Sequence, residues 1–226
     1  MFGFYCRTGH MCGRYSLTKK ELRLISKLPP GELQLWFKAR FNIAPTQEIP
    51  IIALENGQLA GKEMAWGLRP AWSNKPIINA QAETLLQKPS FREAFQQRRC
   101  LAPADGFFEW RKTDKTPFRF LTKDERVFCF AGIWEMSEGR PTCALVTTAA
   151  NHDVAPVHTR MPLILDASQY DDWLADAGRA EEILRRGSQV ELRSYPVSAR
   201  VNKVANDDPG CLEKAQPSLV TGDLFS

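Results

Sequence analysis

The chain has 226 residues, of which 43% are hydrophobic and 25% charged, with a formal net charge of +4. These are globular proportions and exclude a largely disordered chain; no apolar run approaches the roughly 18 residues of a membrane helix. The small positive charge permits a nucleic-acid partner without requiring one. Cysteines at positions 6, 12, 100, 129, 143 and 211 form no CxxC pair and no zinc spacing. They read as reduced, mostly buried thiols of a soluble cytoplasmic protein.

Thr18-Lys19-Lys20-Glu21 has the form of a capping box, and Leu22, Ile25 and Leu28 follow at helical spacing up to Pro29, which predicts a helix over 18–28. Phe41-Asn42-Ile43-Ala44-Pro45 reads as a loop or sheet edge. Residues 49–54 are rich in β-formers, Asn56-Gly57 is a hairpin turn, and 64–68 offers the partner strand. Ser90-Phe91-Arg92-Glu93 forms a second capping box, opening a short helix to about Arg98. Strands are expected over 100–102, 107–110, 118–121, 127–134, 142–148, 161–165 and 192–197. Asp166 can cap a helix carrying Tyr170, Trp173 and Leu174, and 180–186 is helical; the last twenty residues look irregular. Many strands with few separated helices define an α+β fold. The expected core is a mainly antiparallel, twisted, β-barrel-like sheet with short peripheral helices.

Four residues invite a chemical reading. Cys12 follows Met11. Freed at its amine it would be a 1,2-aminothiol, whose amine forms a Schiff base with an aldehyde and whose thiol then closes a thiazolidine ring. Left internal, it reads as a buried inert thiol. Asn79, after Ile77 and Ile78, can orient an amine or a sugar oxygen, or simply occupy a turn. Glu109 sits in the aromatic run Gly106-Phe107-Phe108-Glu109-Trp110; on a strand it shares a face with Phe107, where apolar surroundings would raise its pKa toward a proton-transfer value. It reads equally as a solvent-facing glutamate. His158, two residues before Arg160, suits acid–base work beside a phosphate-binding cation, or is a packed histidine. Trp72, in a Pro-rich stretch with Arg69 and Lys75, suits stacking on a single-stranded base. Trp66 and Trp134 read as core.

The order of these segments carries more than each alone. Met11-Cys12-Gly13-Arg14, Asn42-Ile43-Ala44-Pro45, Trp66-Gly67-Leu68, Ile78-Asn79-Ala80 with Glu83 behind it, Gly106 to Trp110, Val146-Thr147-Thr148-Ala149-Ala150-Asn151 and His158-Thr159-Arg160-Met161-Pro162 together resemble the SRAP family over about residues 11–206. The resemblance implies a protein that acts on abasic sites in single-stranded DNA. Its N-terminal cysteine would attack the ring-opened sugar aldehyde and form a thiazolidine DNA–protein crosslink that shields the lesion. Weak abasic-site lyase and self-processing peptidase activities accompany it.

By the same resemblance, Cys12 is the nucleophile, Asn79 positions its amine and the sugar, Glu109 transfers protons, and His158 acts as acid and base on the sugar oxygen. Arg14, Asn42, Pro45, Trp72, Thr147 and Arg160 would contact DNA. No metal or organic cofactor is implied. The expected protein is a monomer with no membrane partner, a single domain over 11–226 and an extension over 1–10 that is either not translated or removed. Two other readings stand beside this one: a cysteine peptidase using Cys12 and His158, and a noncovalent single-stranded nucleic-acid binding module. The family's pattern has arginine after Ile-Asn-Ala, whereas this chain has Gln81. One phosphate contact is thereby weakened. A salt titration of DNA binding should show a steeper slope for Gln81→Arg than for wild type, by up to about one unit.

Overall fold

The computed structural model describes residues 12–70 and 73–215. In chain order the elements are β1 (Tyr15–Leu17), β2 (Glu21–Ile25), β3 (Glu32–Trp36), β4 (Arg40–Ile43), β5 (Glu48–Glu55), β6 (Gln58–Trp66), β7 (Asn79–Gln81), α1 (Ala82–Leu85), α2 (Pro89–Gln97), β8 (Arg99–Ala104), β9 (Gly106–Trp110), β10 (Pro117–Thr122), β11 (Phe128–Ser137), β12 (Arg140–Ala149), β13 (Arg160–Pro162), β14 (Ile164–Leu165), α3 (Tyr170–Ala175), α4 (Ala177–Arg186) and β15 (Leu192–Pro196). Short 3-10 turns cover Ala167–Gln169, Ala199–Asn202 and Pro209–Cys211.

Strands β12, β6, β5, β8 and β11 pair in that order, and β11 pairs back onto β12, so the ring closes into a small barrel. Closure leaves none of these five strands as an open edge. Among the described residues, parallel pairing is confined to β12 with β6 and β7. A second sheet, ordered β15-β10-β9-β1-β4, lies against the barrel. Between them sits an aromatic core in which Tyr15, Trp66, Phe107, Phe120, Phe128 and Phe130 are almost wholly buried. The helices cover the opposite side, where Phe95 and Trp173 meet edge-on. Arg99 is buried there and donates to the carbonyls of Phe95, Gln96, Trp173 and Leu174, satisfying the C-terminal ends of α2 and α3.

The β5–β6 hairpin turns at Asn56-Gly57, both residues at positive φ (51° and 78°), as a two-residue hairpin loop requires. The strands expected from residue 100 onward are present, with small shifts at their ends, and Asp166 caps its turn reciprocally with Gln169. Residues 207–215 are irregular apart from the last 3-10 turn and a single bridge from Lys214 to Val197; residues 216–226 lie outside the described residues. Cys12, Cys100, Cys129, Cys143 and Cys211 are free and buried.

Two expectations need correction. Residues 18–28 form no helix: β2 pairs with β3 in register Leu22↔Leu35 and Leu24↔Leu33. The two leucines on each strand share one face, and Ile25 turns outward at 69% exposure. The Thr18 hydroxyl that would have capped a helix bonds the Asp105 carboxylate instead, at 2.6 Å. At α2, Lys88 is the N-cap residue and Pro89 occupies the first turn, where its missing N–H is harmless.

Asp105, at the corner between β8 and β9, is the main polar anchor of the second sheet. Its buried carboxylate accepts from the Ser16 hydroxyl (2.7 Å), the Thr18 amide and hydroxyl, the Lys19 amide (3.1 Å) and the guanidinium of Arg119 (3.1 Å). Gly106 follows because the Arg119 side chain crosses it: a Cβ there would lie 2.7 Å from Arg119 Nε. Asp105→Ala strands the guanidinium of a largely buried arginine, and about 3–5 kcal/mol of stability should be lost in urea unfolding. Asp105→Asn, which keeps acceptors, should lose less.

Candidate active site and nucleic-acid interface

Strand β9 sets the site. Its alternation sends Phe107 into the barrel core and Phe108 into a small cluster with Val197, Val201 and Cys211. Glu109 falls on the Phe107 side and is only 3% exposed. β1 runs antiparallel to β9 in register Tyr15↔Phe107, and the Phe108 amide donates to the Arg14 carbonyl. The same pairing carries residues 12–14 back along β9. The backbone nitrogen of Cys12 meets Glu109 there, donating to Oε1 at 2.6 Å. Cys12 is itself 3% exposed and has a φ of 48°, a left-handed conformation costly for a residue with a Cβ.

Burial pushes the Glu109 carboxyl up to about 7, against the downward pull of its hydrogen bonds to Cys12. Burial also drives the Cys12 thiol well upward, reinforced by the neighbouring Glu109, while the Arg160 cation pulls it down. A carboxyl that titrates near neutrality, touching a thiol and a backbone nitrogen, can take a proton from one and hand it to the other.

Asn79 opens β7, opposite Leu145 of β12. Ile78 beside it holds the register: its carbonyl accepts from the Leu145 amide and from the Trp66 indole. A Cβ on Gly13 would lie 4.0 Å from Ile78 Cδ1, so the start of β7 passes next to the Cys12-Gly13 segment. His158 is half-buried before β13, and its Nδ1 accepts from the Arg160 amide at 3.1 Å. The same Nδ1 lies 3.2 Å from the Arg160 carbonyl, to which the other tautomer donates, so both tautomers of the neutral ring find a partner there. Burial lowers the His158 pKa, the cations Lys112 and Arg160 lower it further, and the backbone contact opposes them, so the ring is neutral at pH 7.

The expected DNA-contact residues divide. Arg14 and Arg160 present guanidinium groups held by built frames. Arg14 bonds Asn42 Oδ1 (2.9 Å) and the Val201 carbonyl (2.7 Å), and lies 6.0 Å from the Trp110 ring centroid. Arg160 bonds Glu83 and the Thr147 carbonyl. Pro45 is partly exposed at the turn after β4. Trp72 lies outside the described residues.

Asn42 and Thr147 are fully buried, with their side chains engaged inside the protein. The Asn42 amide donates to the carbonyls of Val201, Lys203 and Asn206, fastening that segment under Arg14. Thr147 supports Arg160 through its hydroxyl. Sequence reasoning missed three parts of the site: the Glu83–Arg160 pair, the 201–206 segment and Asp207, whose carboxylate accepts from the amides of Phe41 and Asn42. No local signal marks them, because every partner is distant in the chain. Among the described residues no three His, Cys, Asp or Glu side chains converge as metal ligands, and no helix is long and apolar enough to cross a membrane.

A small closed barrel flanked by a sheet that carries a buried thiol–carboxyl pair defines the structural class. The chain belongs to the SOS response associated peptidase (SRAP) family, whose model matches residues 11–204. It is 34% identical to the abasic site processing protein YoqW of Bacillus subtilis, over 90% of this chain and 99% of that protein. It is 30% identical to the abasic site processing protein YedK of Escherichia coli, over 87% of this chain and 96% of that one. A crystal structure of a protein from Bacteroides thetaiotaomicron superposes with a TM-score of 0.66 at 26% identity, covering 77% of this chain and 85% of that one. The family is one of abasic-site processing, and DNA carrying abasic sites is its target.

Glu109 links this site to stability. The unfolded carboxyl loses its proton near the ordinary glutamate value of 4.5 and the folded one near 7. The folded form therefore holds the extra proton between those values, and stability falls as pH rises through that window, by about 3 kcal/mol in all. Glu109→Gln removes the loss. Its melting temperature should match wild type near pH 4.5 and exceed it at pH 8; an equal offset at both pH values would contradict the assignment.

Proposed function

We propose that this protein captures abasic sites in single-stranded DNA as a covalent thiazolidine through Cys12, once residues 1–11 are absent and Cys12 carries a free amine. The observation that carries the reading is the 2.6 Å contact between the Cys12 nitrogen and a buried carboxyl that titrates near 7. An α-ammonium has an ordinary pKa of about 7.7–8.0, close enough for Glu109 to accept its proton and free the nucleophile. The amine adds to the aldehyde carbon of the ring-opened sugar. Glu109 returns a proton to the resulting hydroxyl, which leaves as water to give the Schiff base. The thiol then adds to the same carbon, its proton passing to the nitrogen, and closes the five-membered ring.

His158 is suited to protonate the sugar oxygen as the ring opens, and Asn79 to orient the amine and the sugar. Arg14, Pro45, Trp72 and Arg160 form the DNA surface, with Asn42 and Thr147 as supports beneath it. Elimination of the 3′ phosphate from the Schiff base supplies a weak lyase activity. The same pair accounts for self-processing. The Cys12 thiol adds to the Met11 carbonyl while Glu109 moves its proton to the amide nitrogen; the C–N bond breaks, and water hydrolyses the thioester to release a carboxylate. The left-handed φ at Cys12 favours departure from this ground state. We read residues 11–226 as one domain acting as a monomer, in the cytoplasm and on DNA.

The test is the chain beginning at Cys12, confirmed by mass, mixed with a single-stranded oligonucleotide carrying one abasic site and run on a denaturing gel without borohydride. A heat-stable shifted band is expected. Cys12→Ala and Cys12→Ser should give none, and Glu109→Gln should slow its appearance on the order of 10²-fold. A heat-stable adduct from Cys12→Ser would sink the thiazolidine. Steady turnover of a peptide in trans would favour the peptidase reading, and equal affinity for intact and abasic strands without an adduct the noncovalent one.

A further inference from the structure

Arg160 projects from β13, opposite Ala149 of β12. Its two terminal nitrogens grip both oxygens of Glu83, at 2.5 and 2.9 Å, and one of them also donates to the Thr147 carbonyl at 2.8 Å. Glu83 lies in the first turn of α1, two residues after Gln81, and Gln81 is itself in register with Thr147. The Glu83 side chain is 51% exposed and that of Arg160 17%. Arg160 holds the Glu83 carboxyl below its ordinary range, so the pair is ionised at neutral pH. The other titratable groups facing it are the buried Cys12 thiol, His158, which is neutral, and Lys112, bonded to the Thr159 hydroxyl.

The cation best placed to meet DNA here is thus already matched by a carboxylate, and Gln81 adds no charge. A phosphate presents the same two-oxygen face to a guanidinium as a carboxylate does. The pair is open to water on the Glu83 side alone, where solvent competes for the carboxylate. Arg160 Nε is moreover buried without an acceptor. A guanidinium that turned outward to a phosphate would give that donor a partner as well.

We propose that Glu83 competes with the DNA backbone for Arg160, occupying the guanidinium until a phosphate exchanges with it, and so sets the affinity and salt dependence of strand binding. The proposal rests on the reading of Arg160 as a phosphate contact. Its consequence is a short residence on undamaged strands, since every phosphate bound at this position must first displace a carboxylate. Capture of a lesion loses little by this, because the covalent bond holds it.

The experiment is a salt titration by fluorescence anisotropy, using the full chain and an intact, labelled single-stranded oligonucleotide that cannot crosslink. Wild type, Glu83→Gln, Arg160→Gln and the double variant are compared, each with its melting temperature. Glu83→Gln should tighten binding by about 3–10-fold at 0.1 M salt and steepen the slope of log K against log salt by about 0.7. In the Arg160→Gln background the same change should leave the slope as it was and give less than half the gain. Weaker binding by Glu83→Gln, or tighter binding with an unchanged slope, overturns the proposal; the first result would make Glu83 a support that holds Arg160 in place. The titration uses no lesion. A missing adduct in the gel assay with binding intact removes the thiazolidine reading alone, whereas a wild type that binds no strand at low salt removes the exchange proposal.

Discussion

A carboxylate placed inside a protein must find its donors there, and strand β9 with the corner before it brings two into the interior. Asp105 and Glu109 stand four residues apart, one at each end of the register Tyr15↔Phe107. Asp105 holds Ser16, Thr18 and Lys19, and Glu109 holds the nitrogen of Cys12. The segment from 12 to 19 is therefore clasped at both ends, and the aromatic packing of Tyr15 against Trp66 and Phe130 closes the middle. The chemistry follows from the difference between the two acids. Asp105 is compensated by a guanidinium and several donors. Glu109 has mainly Cys12 and its own strand to bond, so burial decides its proton affinity.

The two arginines of the candidate DNA surface obey a related rule. Neither guanidinium hangs free in solvent. Arg14 rests on Asn42 and the 201–206 segment, and Arg160 on Thr147 and Glu83. Rigid cations recognise a phosphate at a smaller entropic cost than mobile ones. The fully buried Asn42 and Thr147 hold these groups in place from beneath, through the 201–206 carbonyls and the Arg160 guanidinium.

Alternation exposed most of the barrel strands in the sequence, and the Asn56-Gly57 turn placed one hairpin directly. The miss at 18–28 has a physical cause. Leu22, Ile25 and Leu28 fit a helical period, but Leu22 and Leu24 fit a period of two as well, and the competition is settled from outside by the Leu33 and Leu35 face of β3 and by Asp105. The segments of the candidate site stood out because Cys12, Glu109 and His158 sit in stretches of distinctive composition. The polar frames were not, because Glu83 meets Arg160 across 77 positions and Asn42 meets Asn206 across 164. Periodicity and turn chemistry speak only of neighbours, and nothing local states that an asparagine on an edge strand will be roofed by the end of the chain.

That roofing has a consequence for the order of events during synthesis. Cys12 is made before its carboxyl partner, which lies 97 residues later, and Arg14 before the carbonyl that seats it, 187 residues later. Contacts so distant in sequence form late, after the loops between them have closed. Until then Cys12 is an ordinary thiol in water, with no buried acid beside it. The nascent chain therefore carries Cys12 unenclosed at first, and its buried acidic surroundings assemble only once the segment around residue 201 has been made.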